Sequence, residues 1–434
     1  MADKVFCDPV YRHVVFDKSA DRLLLDLIAC PEVQRLRRVR QLGVSSYTYH
    51  GAEHSRFGHA LGACHLMTQA LDALSRNQPD LEITEQLRLA ARCAALLHDL
   101  GHGPFSHLAE RVCCFKHGEI TRKLILGDTQ VNTVLSQEDN AFPEFVASLL
   151  HREDTQHPFV TDLLDSNLDV DRMDFLMRDA HYCGVSFGVY DYLRILHTVR
   201  VRPFPRFENR QHLVWQTKGE HSVEEFLYAR FFMYWTVYYH KTTRGFESLF
   251  QAILSKAQEL DPGGERAIAP AVGSLLRKDV SAQDIAALDD NLVLAQIQAW
   301  CDNSDPTLAD LSRRFLNREG FKPYGPVALA AQSLDIIHQG ETVLRDQGYD
   351  PHYYLLDNER QTTAYDYYRP EEEVEEKTPQ TSITLENGQE RRHEIAHRLP
   401  GVKALAEEAD RNLYYYIPRE QVPRLDQIMT ELLS

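Results

Sequence analysis

The chain has 434 residues, of which 43% are hydrophobic and 26% are charged. This composition supports a buried core and excludes a disordered or collagen-like protein. The net charge of −17 disfavours nonspecific binding to nucleic acid or to an anionic membrane. No signal-like or membrane-spanning apolar run is present and the eight cysteines form no CxxC pair, so we expect a soluble, cytoplasmic protein with reduced thiols.

Helical periodicity dominates residues 1–260. A strand-like piece at 14–16 leads into an amphipathic helix that ends near Gly43, and apolar residues recur at helical spacing through 59–74 and 84–100. A capping box formed by Ser222 and Glu225 predicts the start of one long helix through 226–254. The segment 261–270 contains glycine and proline and breaks this helix, so it is the predicted domain boundary.

Residues 261–434 combine shorter helices with strands. Helical spacing continues through 328–344, whereas 353–358, 381–395 and 412–418 are strand-like, with a hairpin turn signal at Asn387-Gly388. The acidic run at 370–379 is typical of a solvated loop. We therefore predict a mainly α fold, with a helical domain at 1–260 and a smaller helical and α+β region at 261–434.

Two histidines and two aspartates on three predicted helices form the strongest candidate site. They are His59, His98, Asp99 and Asp171. Two imidazole nitrogens and two carboxylate oxygens suit a divalent transition metal and leave positions open for water and substrate. The pair His98-Asp99 ends an apolar run that carries it towards the interior, where an unpaired carboxylate is costly. Spacing alone leaves two alternatives open, a metal site and polar residues that are satisfied in some other way.

Five sequence segments resemble the HD-domain phosphohydrolases. They are CPEVQRLRRVRQLG (30–43), HSRFGHALG (54–62), LLHDLGHGPFSH (96–107), LDVDRMDFLMRDAHYCGV (168–185) and YYHKTTRGFE (238–247). The strongest likeness is to the dNTP triphosphohydrolase branch, which includes bacterial dGTPases and the animal enzyme that joins a sterile-alpha-motif domain to an HD domain. No room precedes Asp8 for a sterile-alpha-motif domain, so we expect none here.

This resemblance implies a fold, a cofactor and an activity. It implies an HD-domain helical core in which the four residues above hold a divalent metal ion, which could be Mn, Fe, Mg, Zn, Co or Ni. It also implies a dNTP triphosphohydrolase, in which water attacks the α-phosphorus and releases deoxynucleoside and tripolyphosphate.

The helix that carries the last metal ligand supplies further candidate contacts. Asp171, Phe175 and Asp179 are spaced four apart, so they share one helix face. By resemblance, Arg172 binds the triphosphate and Asp179 contacts the sugar hydroxyl. A characterised member of the family has Lys and Tyr where this chain has Arg172 and Phe175, so the charge is kept and a hydroxyl is lost.

A group of histidines is expected to handle the phosphates. By resemblance, His102 and His107 contact phosphate, and His117 is the general acid for the leaving group, oriented by Glu110. His102 is also assigned a catalytic role. A histidine suits that role because it titrates near neutrality. Arg56 lies three residues before His59 on the same helix face, and we expect it to reach phosphate. A surface histidine is the alternative interpretation of His117.

Two further segments are predicted to form the walls of the substrate pocket. By resemblance, Gln41 and Leu42 contact base and sugar. His240 and Arg244 are four apart on the predicted long helix and are interpreted as a wall of the pocket. Tyr239 is assigned to the pocket or to the core, and both alternatives stay open.

Several other residues are interpreted as structural. Asp174 and Arg178 are four apart and predict a surface ion pair. The basic run at 35–40 is interpreted either as a phosphate-binding surface between subunits or as a solvated helix face. Four aromatic residues of the long helix are interpreted as core: Phe226, Phe231, Phe232 and Trp235.

The resemblance implies a possible activating nucleotide bound between the subunits of a homo-oligomer, either a dimer or a tetramer. The matching residues Lys4, Gln34 and Arg37 are present. However, Ala29 stands where an acidic residue reads guanine, and Cys7 replaces an Asn. Loss of that acceptor predicts weak guanine selectivity, or a different activator.

Three alternative functions stay open at this point. An HD phosphohydrolase could act instead on nucleoside monophosphates or on cyclic or dinucleotide phosphodiesters. A di-iron HD oxygenase could recruit His102 and His107 as ligands for a second iron. A nucleic-acid binding module is disfavoured by the negative charge and by the complete set of metal-type residues.

Overall fold

The computed structural model describes residues 3–327, 332–363, 382–389, 391–407 and 409–433. Within them the chain forms twenty-two α-helices and nine β-strands, so the predicted mainly α fold with a smaller α+β part is confirmed. The acidic run at 370–379 lies outside the described residues. In the described part of the chain, no helix combines the length and apolarity needed to cross a bilayer. All eight cysteines are free thiols, as expected.

The first half of the chain is built mainly from helices that surround the candidate metal ligands. These helices are α1 (Arg22–Ala29), α2 (Pro31–Arg35), α3 (Arg56–Asn77), α4 (Glu85–Leu97), α5 (His107–Cys113), α6 (His117–Leu126), α7 (Gln130–Leu135), α8 (Phe142–Leu150), α9 (Pro158–Leu164), α10 (Val170–Cys183) and α11 (Tyr192–Thr198). Helix α3 packs against both α4 and α10. A Cβ at Gly62 of α3 would overlap the Asp174 carboxylate, so glycine is what permits α10 to approach this closely.

An antiparallel hairpin precedes these helices. It consists of β1 (Lys4–Asp8) and β2 (Arg12–Phe16). Strand β2 buries Val14 and Phe16 in the core, because alternate side chains of a strand point to the same face. The strand-like piece predicted at 14–16 is therefore confirmed.

The helix predicted through 226–254 is divided into two. Helix α12 (Glu220–Met233) begins at Gly219 without a side-chain cap, so the predicted capping box of Ser222 and Glu225 is wrong. A π-helical segment (Tyr234–Tyr238) follows, and α13 (Lys241–Leu260) begins after His240, whose backbone is extended. A π turn re-aims the side chains that follow it, and such turns are frequent at functional sites.

The aromatic residues of α12 and the π segment do not all lie in the core. Phe226 is fully buried, as predicted, and Phe231 is half-buried. The prediction is wrong for Phe232 and Trp235, which are 41% and 43% exposed. Phe232 instead stacks on the exposed Phe187 at the surface.

The second half of the chain begins with residues 261–269, which connect α13 to the remaining helices without a regular element. Phe250 precedes this connection and Phe315 follows it, and the two rings pack together in one continuous core. The domain boundary at 261–270 therefore stays a prediction. The helices that follow are α14 (Pro270–Arg277), α15 (Ala282–Ala287), α16 (Asp290–Trp300), α17 (Pro306–Leu316), α18 (Gln332–Asp346), α19 (Pro351–Tyr354), α20 (Ile395–Arg398), α21 (Pro400–Glu407) and α22 (Val422–Leu433).

Two small sheets complete the described fold. Their strands are β3 (Val199–Phe204), β4 (Arg210–Gln216), β5 (Lys322–Val327), β6 (Leu356–Thr363), β7 (Thr384–Glu386), β8 (Arg392–Glu394) and β9 (Ala409–Ile417). One sheet has the order β3-β4-β7-β8 with β4 and β7 parallel, and the other is antiparallel with the order β5-β9-β6. The β7–β8 pair confirms the hairpin predicted at Asn387-Gly388.

The basic run at 35–40 is mostly occupied by contacts inside the chain. Arg35 is buried and donates to the carbonyl oxygens of Leu288 and Leu100, at 3.0 and 2.7 Å. Arg38 pairs with Asp289 at 2.5 Å. The run therefore joins two parts of the same chain. As a whole it is neither a phosphate-binding surface between subunits nor a solvated helix face.

Candidate active site

Three helices bring the candidate metal ligands together. His59 comes from α3, His98 from the end of α4 and Asp171 from the first turn of α10. The Nε2 atoms of the two histidines lie 3.1 Å apart, and the Asp171 Oδ1 atom lies 3.0 Å from His59 Nε2 and 3.5 Å from His98 Nε2. These three residues offer ligand atoms that converge on one point, so they could hold a metal ion.

Asp99, the fourth predicted ligand, lies at the edge of this cluster. Its carboxylate oxygens are 3.5 Å from His59 Nε2 and 3.4 Å from His98 Nε2. The same carboxylate also contacts the Arg56 guanidinium and lies 3.2 Å from His102 Nε2. Asp99 therefore connects the cluster to the groups that the sequence assigns to phosphate.

The electrostatics of the cluster favour a bound cation. Burial opposes protonation of His59, yet hydrogen bonds to Asp171 and Asp174 raise its pKa to about 10. Burial likewise opposes ionisation of Asp171, but the two histidines hold the pKa of its carboxyl far below the usual range. A divalent ion would replace these protons, and the donor set of imidazole nitrogen and carboxylate oxygen fits it.

His59 is held in position by a buried network behind it. The Asp174 carboxylate lies 2.8 Å from His59 Nδ1 and accepts two hydrogen bonds from Arg178, at 2.8 and 2.9 Å. Arg178 also donates to Asp8 of β1 at 2.8 Å, and the Tyr11 hydroxyl donates to Asp174 at 2.8 Å. Asp174 and Arg178 are 0% and 1% exposed, so the predicted surface ion pair is corrected to a buried one. A carboxylate behind a ligating histidine is the usual way of fixing its tautomer.

A second group of imidazoles lies next to Asp99. The His102 and His117 rings stack with centroids 3.9 Å apart, and Glu110 lies 3.1 Å from His117 Nδ1 and 3.0 Å from His107 Nδ1. Burial and the charge of Arg56 hold the pKa of His102 well below its ordinary value, so His102 is neutral near pH 7. Burial opposes ionisation of Glu110, yet its bonds to His107 and His117 lower its pKa far below that of a free carboxyl.

One cavity of about 1120 Å³ joins both groups. Predicted site residues that line it are Gln41, Leu42, Arg56, His98, Asp99, His102, His107, Glu110, His117, Asp171, Arg172, Phe175, Asp179, Tyr239 and Arg244. His59 is fully buried behind this wall. His240 does not line the cavity, and its Nδ1 atom instead accepts from the Thr242 amide at 3.1 Å as the cap of α13, which corrects its predicted place in the wall.

Two residues that the sequence did not single out, His54 and Tyr238, hold Asp179 in the cavity wall. Asp179 accepts from the Tyr238 hydroxyl at 2.8 Å and lies 2.7 Å from His54 Nε2. Tyr238, the last residue of the π segment, and Tyr239, which follows it, both line the cavity. A signal was present: His54 and Tyr238 each fall inside a segment that carries the family resemblance.

The predicted basic contacts are paired within the chain. Arg172 contacts Asp169, the cap of α10, and lies 3.8 Å from Asp165. Arg244 pairs with Glu247 at 2.6 Å and donates to Asn358 at 2.9 Å. Both guanidinium groups are therefore positioned before any ligand arrives.

The three predicted activator contacts lie away from the cavity wall. Lys4 Nζ lies 5.3 Å from the centre of the Phe6 ring on β1. Gln34 accepts from Arg37 Nε at 2.8 Å, and the Arg37 guanidinium stacks 3.6 Å from the centre of the Phe57 ring. Nucleotide binding by Lys4, Gln34 and Arg37 stays a prediction.

Comparisons with known proteins match this geometry. A family model described as the HD domain matches residues 56–176, and one described as the HD associated region matches residues 191–347. Over 421 residues the chain is 39% identical to the uncharacterized protein YwfO of Bacillus subtilis, covering 95% of this chain and 92% of that protein. The solved structure of a phosphohydrolase from Bacteroides thetaiotaomicron matches with a TM-score of 0.81 and 28% identity, over 96% of this chain and 100% of that chain. The chain belongs to the HD-domain phosphohydrolase family.

Within this family, the chain is also similar to a dNTP triphosphohydrolase. The HD-domain chain is 30% identical over 274 residues to the deoxynucleoside triphosphate triphosphohydrolase SAMHD1 homolog of Dictyostelium discoideum. The match covers 59% of this chain and 50% of that protein, so it spans half of the relative's length. The likeness to this branch, predicted from five motifs, is confirmed.

Proposed function

We propose that this HD-domain protein is a metal-dependent dNTP triphosphohydrolase that releases deoxynucleoside and tripolyphosphate. One observation carries the proposal: the metal-type cluster of His59, His98 and Asp171 adjoins a cavity of about 1120 Å³ that also contains arginine and imidazole groups. A triphosphate carries several negative charges, and cationic and hydrogen-bonding groups of this kind stabilise them. The name of the Dictyostelium relative supports the same substrate class.

In this proposal the cluster orients the phosphate that reacts. When bound there, a divalent ion would supply Lewis acidity to a phosphoryl oxygen and acidity to a water molecule. Burial opposes ionisation of Asp99, but Arg56 lowers the pKa of that carboxyl well below its usual range, so Asp99 faces the cluster as a carboxylate. Arg56 is itself fixed by a 2.7 Å hydrogen bond from its Nε atom to the Ser106 hydroxyl.

We assign the general acid to His117. Water attack on the α-phosphorus breaks its bond to the 5′ oxygen, and that oxygen needs a proton to leave as the nucleoside hydroxyl. The Glu110 carboxylate at 3.1 Å orients His117 through Nδ1, which leaves Nε2 to donate. His102 is the weaker candidate because its lowered pKa keeps it neutral, and it suits a phosphate-facing or ligand-orienting role instead.

We assign nucleoside recognition to the part of the cavity that Gln41, Phe175 and Asp179 line. Both Asp179 oxygens already accept, from Tyr238 and from His54, so the carboxylate is held in one orientation towards the sugar. The Gln41 side-chain oxygen is buried and has no hydrogen-bond partner among the described residues, which supports a contact with a base. Phe175 packs against Tyr238 with ring centroids 6.1 Å apart and offers no hydroxyl.

Product analysis by chromatography tests this function. Purified protein is incubated with each dNTP, alone and in mixtures, with Mn or Mg, beside an Asp171→Ala control. We expect deoxynucleoside and tripolyphosphate from the wild type and neither product from the control. Faster turnover in mixtures would identify an activating nucleotide.

The opposite result would redirect the assignment within the family. A protein that binds the metal but hydrolyses no triphosphate contradicts the proposal. The same preparation would then be assayed with nucleoside monophosphates and with cyclic and dinucleotide phosphodiesters.

A further inference from the structure

The turn that begins α16 lies against the basic run at 35–40. Leu288 and Asp289 contact Arg35 and Arg38 of the basic run, at 3.0 and 2.5 Å. Asp290 lies deeper and is only 2% exposed. The turn belongs to the HD associated region, about 120 residues beyond the last metal ligand in sequence.

The two oxygens of Asp290 accept from two different backbone amides. Its Oδ1 atom accepts from the Phe105 amide at 2.7 Å, and its Oδ2 atom accepts from the Arg40 amide at 3.0 Å. Phe105 belongs to the loop between His102 and His107, and Arg40 directly precedes Gln41. One buried carboxylate therefore joins the phosphate side of the cavity to its nucleoside side.

The loop that Asp290 holds has an unfavourable backbone. Phe105 and Ser106 have φ angles of 54° and 59°, and neither is a glycine. Consecutive non-glycine residues with positive φ cost free energy, so they persist only where surrounding contacts enforce them. Besides the Asp290 bond, the Ser106 hydroxyl donates to the Arg40 carbonyl oxygen at 2.6 Å, and Arg56 Nε donates to that hydroxyl at 2.7 Å.

We propose that Asp290 is a positioning residue for catalysis. It fixes the loop between His102 and His107 relative to the segment that carries Gln41. The residue touches no reacting atom and acts through the two amides. This inference rests on the proposed hydrolase function and extends it, because it gives the HD associated region a defined part in the reaction. A displacement of about 1 Å in such a loop reduces turnover by roughly a hundredfold in well-positioned sites.

The chain offers a matched pair of variants to test this. Asp290→Asn preserves the shape but presents an NH2 group to one of the two amides, so one hydrogen bond is lost. Asp289→Asn removes the same charge one residue earlier, while an Asn still caps α16 by accepting from the Leu292 amide. Its other partner, Arg38, is 50% exposed, so losing that ion pair has little effect.

Three readouts separate positioning from a general loss of structure. Metal binding, turnover of a dNTP and amide hydrogen exchange of residues 101–107 are measured for both variants and for the wild type. For Asp290→Asn we expect wild-type metal affinity, turnover reduced by at least about tenfold with a smaller change in KM, and faster exchange of the loop. For Asp289→Asn we expect wild-type values in all three.

The result that overturns the proposal is equally defined. Unchanged loop exchange in Asp290→Asn, or turnover equal to that of Asp289→Asn, contradicts a positioning role. If Asp290→Asn does not fold, Asp290→Ser is used, because its smaller side chain removes both carboxylate oxygens and leaves room for water. A wild type that hydrolyses no dNTP contradicts the proposed function, and loop exchange then decides the Asp290 proposal by itself.

Discussion

Neighbouring imidazole side chains in the site have different partners. His117 lies against the Glu110 carboxylate, and His102 is kept neutral by burial and by Arg56. The two stacked imidazoles therefore have different surroundings although their centroids are only 3.9 Å apart. This contrast supports the proposal that His117 donates the proton.

Replacing His117 with Gln tests that assignment. We expect His117→Gln to reduce kcat by about 10²- to 10³-fold, because the proton donor is lost. Metal affinity should be unchanged, since His117 is not in the cluster around His59. The matched control is His221→Gln, whose side chain is 79% exposed on α12 and should leave kcat unchanged. A kcat in His117→Gln equal to that of the wild type would contradict the assignment.

The carboxylate behind His59 gives a second residue-scale prediction. Asp174→Asn removes the negative charge and one of the two acceptor oxygens behind His59, so we expect metal affinity to fall by about 10- to 100-fold in a metal titration. The chain contains a matched buried pair remote from the ligands, in which Asp162 lies 2.9 Å from His212 Nδ1. Asp162→Asn should lower stability but leave metal affinity unchanged. Equal metal affinities for the two variants would contradict a role for Asp174 in the site.

At the scale of elements, the loop before α5 and the start of α6 touch through a glycine. A Cβ at Gly101 would overlap the His117 carbonyl oxygen and the Thr121 amide nitrogen. The Gly101 amide also donates to the Thr121 hydroxyl at 2.9 Å, so loop and helix keep a fixed separation. His117 is the first residue of α6, and its position depends on this contact.

Gly101→Ala should therefore displace the start of α6. We expect turnover to fall by about a hundredfold while the metal remains bound, because His117 moves and the ligands do not. Gly388→Ala is the control, since nothing lies within 4 Å of the Cβ that it adds. Wild-type turnover in Gly101→Ala would show that α6 can move without consequence, contrary to this prediction.

The sequence predicted some of the helices and strands but not the π-helical segment beside the site. Apolar spacing located α3 and α4, and the resemblance located the ligands on α3, α4 and α10. The π segment at Tyr234–Tyr238 was missed because its residues continue the helical pattern of the sequence. Its contact in the site, the hydrogen bond from Tyr238 to Asp179, joins residues that are distant in sequence. Burial of Arg178 was missed for a related reason, since its second partner, Asp8, is 170 residues away.

At the scale of the whole molecule, distant segments share buried charges. Asp290 was invisible to sequence reasoning because a single aspartate after a loop has no local signal. Its partners, the Phe105 and Arg40 amides, lie 185 and 250 residues away. Such contacts link the stability of the fold to the protonation of one group.

This linkage predicts how stability depends on pH. Burial raises the pKa of Asp290 to about 6, although the two amides and Arg40 oppose the shift and Asp289 adds to it. An aspartate in an unfolded chain titrates near about 3.9, so the stability that the group contributes is complete below that pH and is lost as pH rises through about 6. The free energy of unfolding of the wild type, relative to Asp290→Asn, should rise by about 1 kcal/mol between about pH 7.5 and about pH 5.

Denaturant unfolding of both proteins at the two pH values checks this. The difference between them isolates Asp290, because the other groups titrate in both proteins. A difference that is constant or falls at the lower pH would contradict the prediction. The measurement needs no substrate and is independent of the proposed activity.

The hydrogen-bonded line from Asp8 through Arg178 and Asp174 to His59 has an evolutionary consequence. Surface strands near a chain terminus ordinarily accept substitutions freely, since little depends on them. Here, replacing Asp8 would leave the buried guanidinium of Arg178 with one carboxylate partner, Asp174, instead of two. Asp174 is also the residue that contacts His59. Positions 8 and 178 should therefore vary together across related chains, and the first strand should be inherited as part of the catalytic machinery.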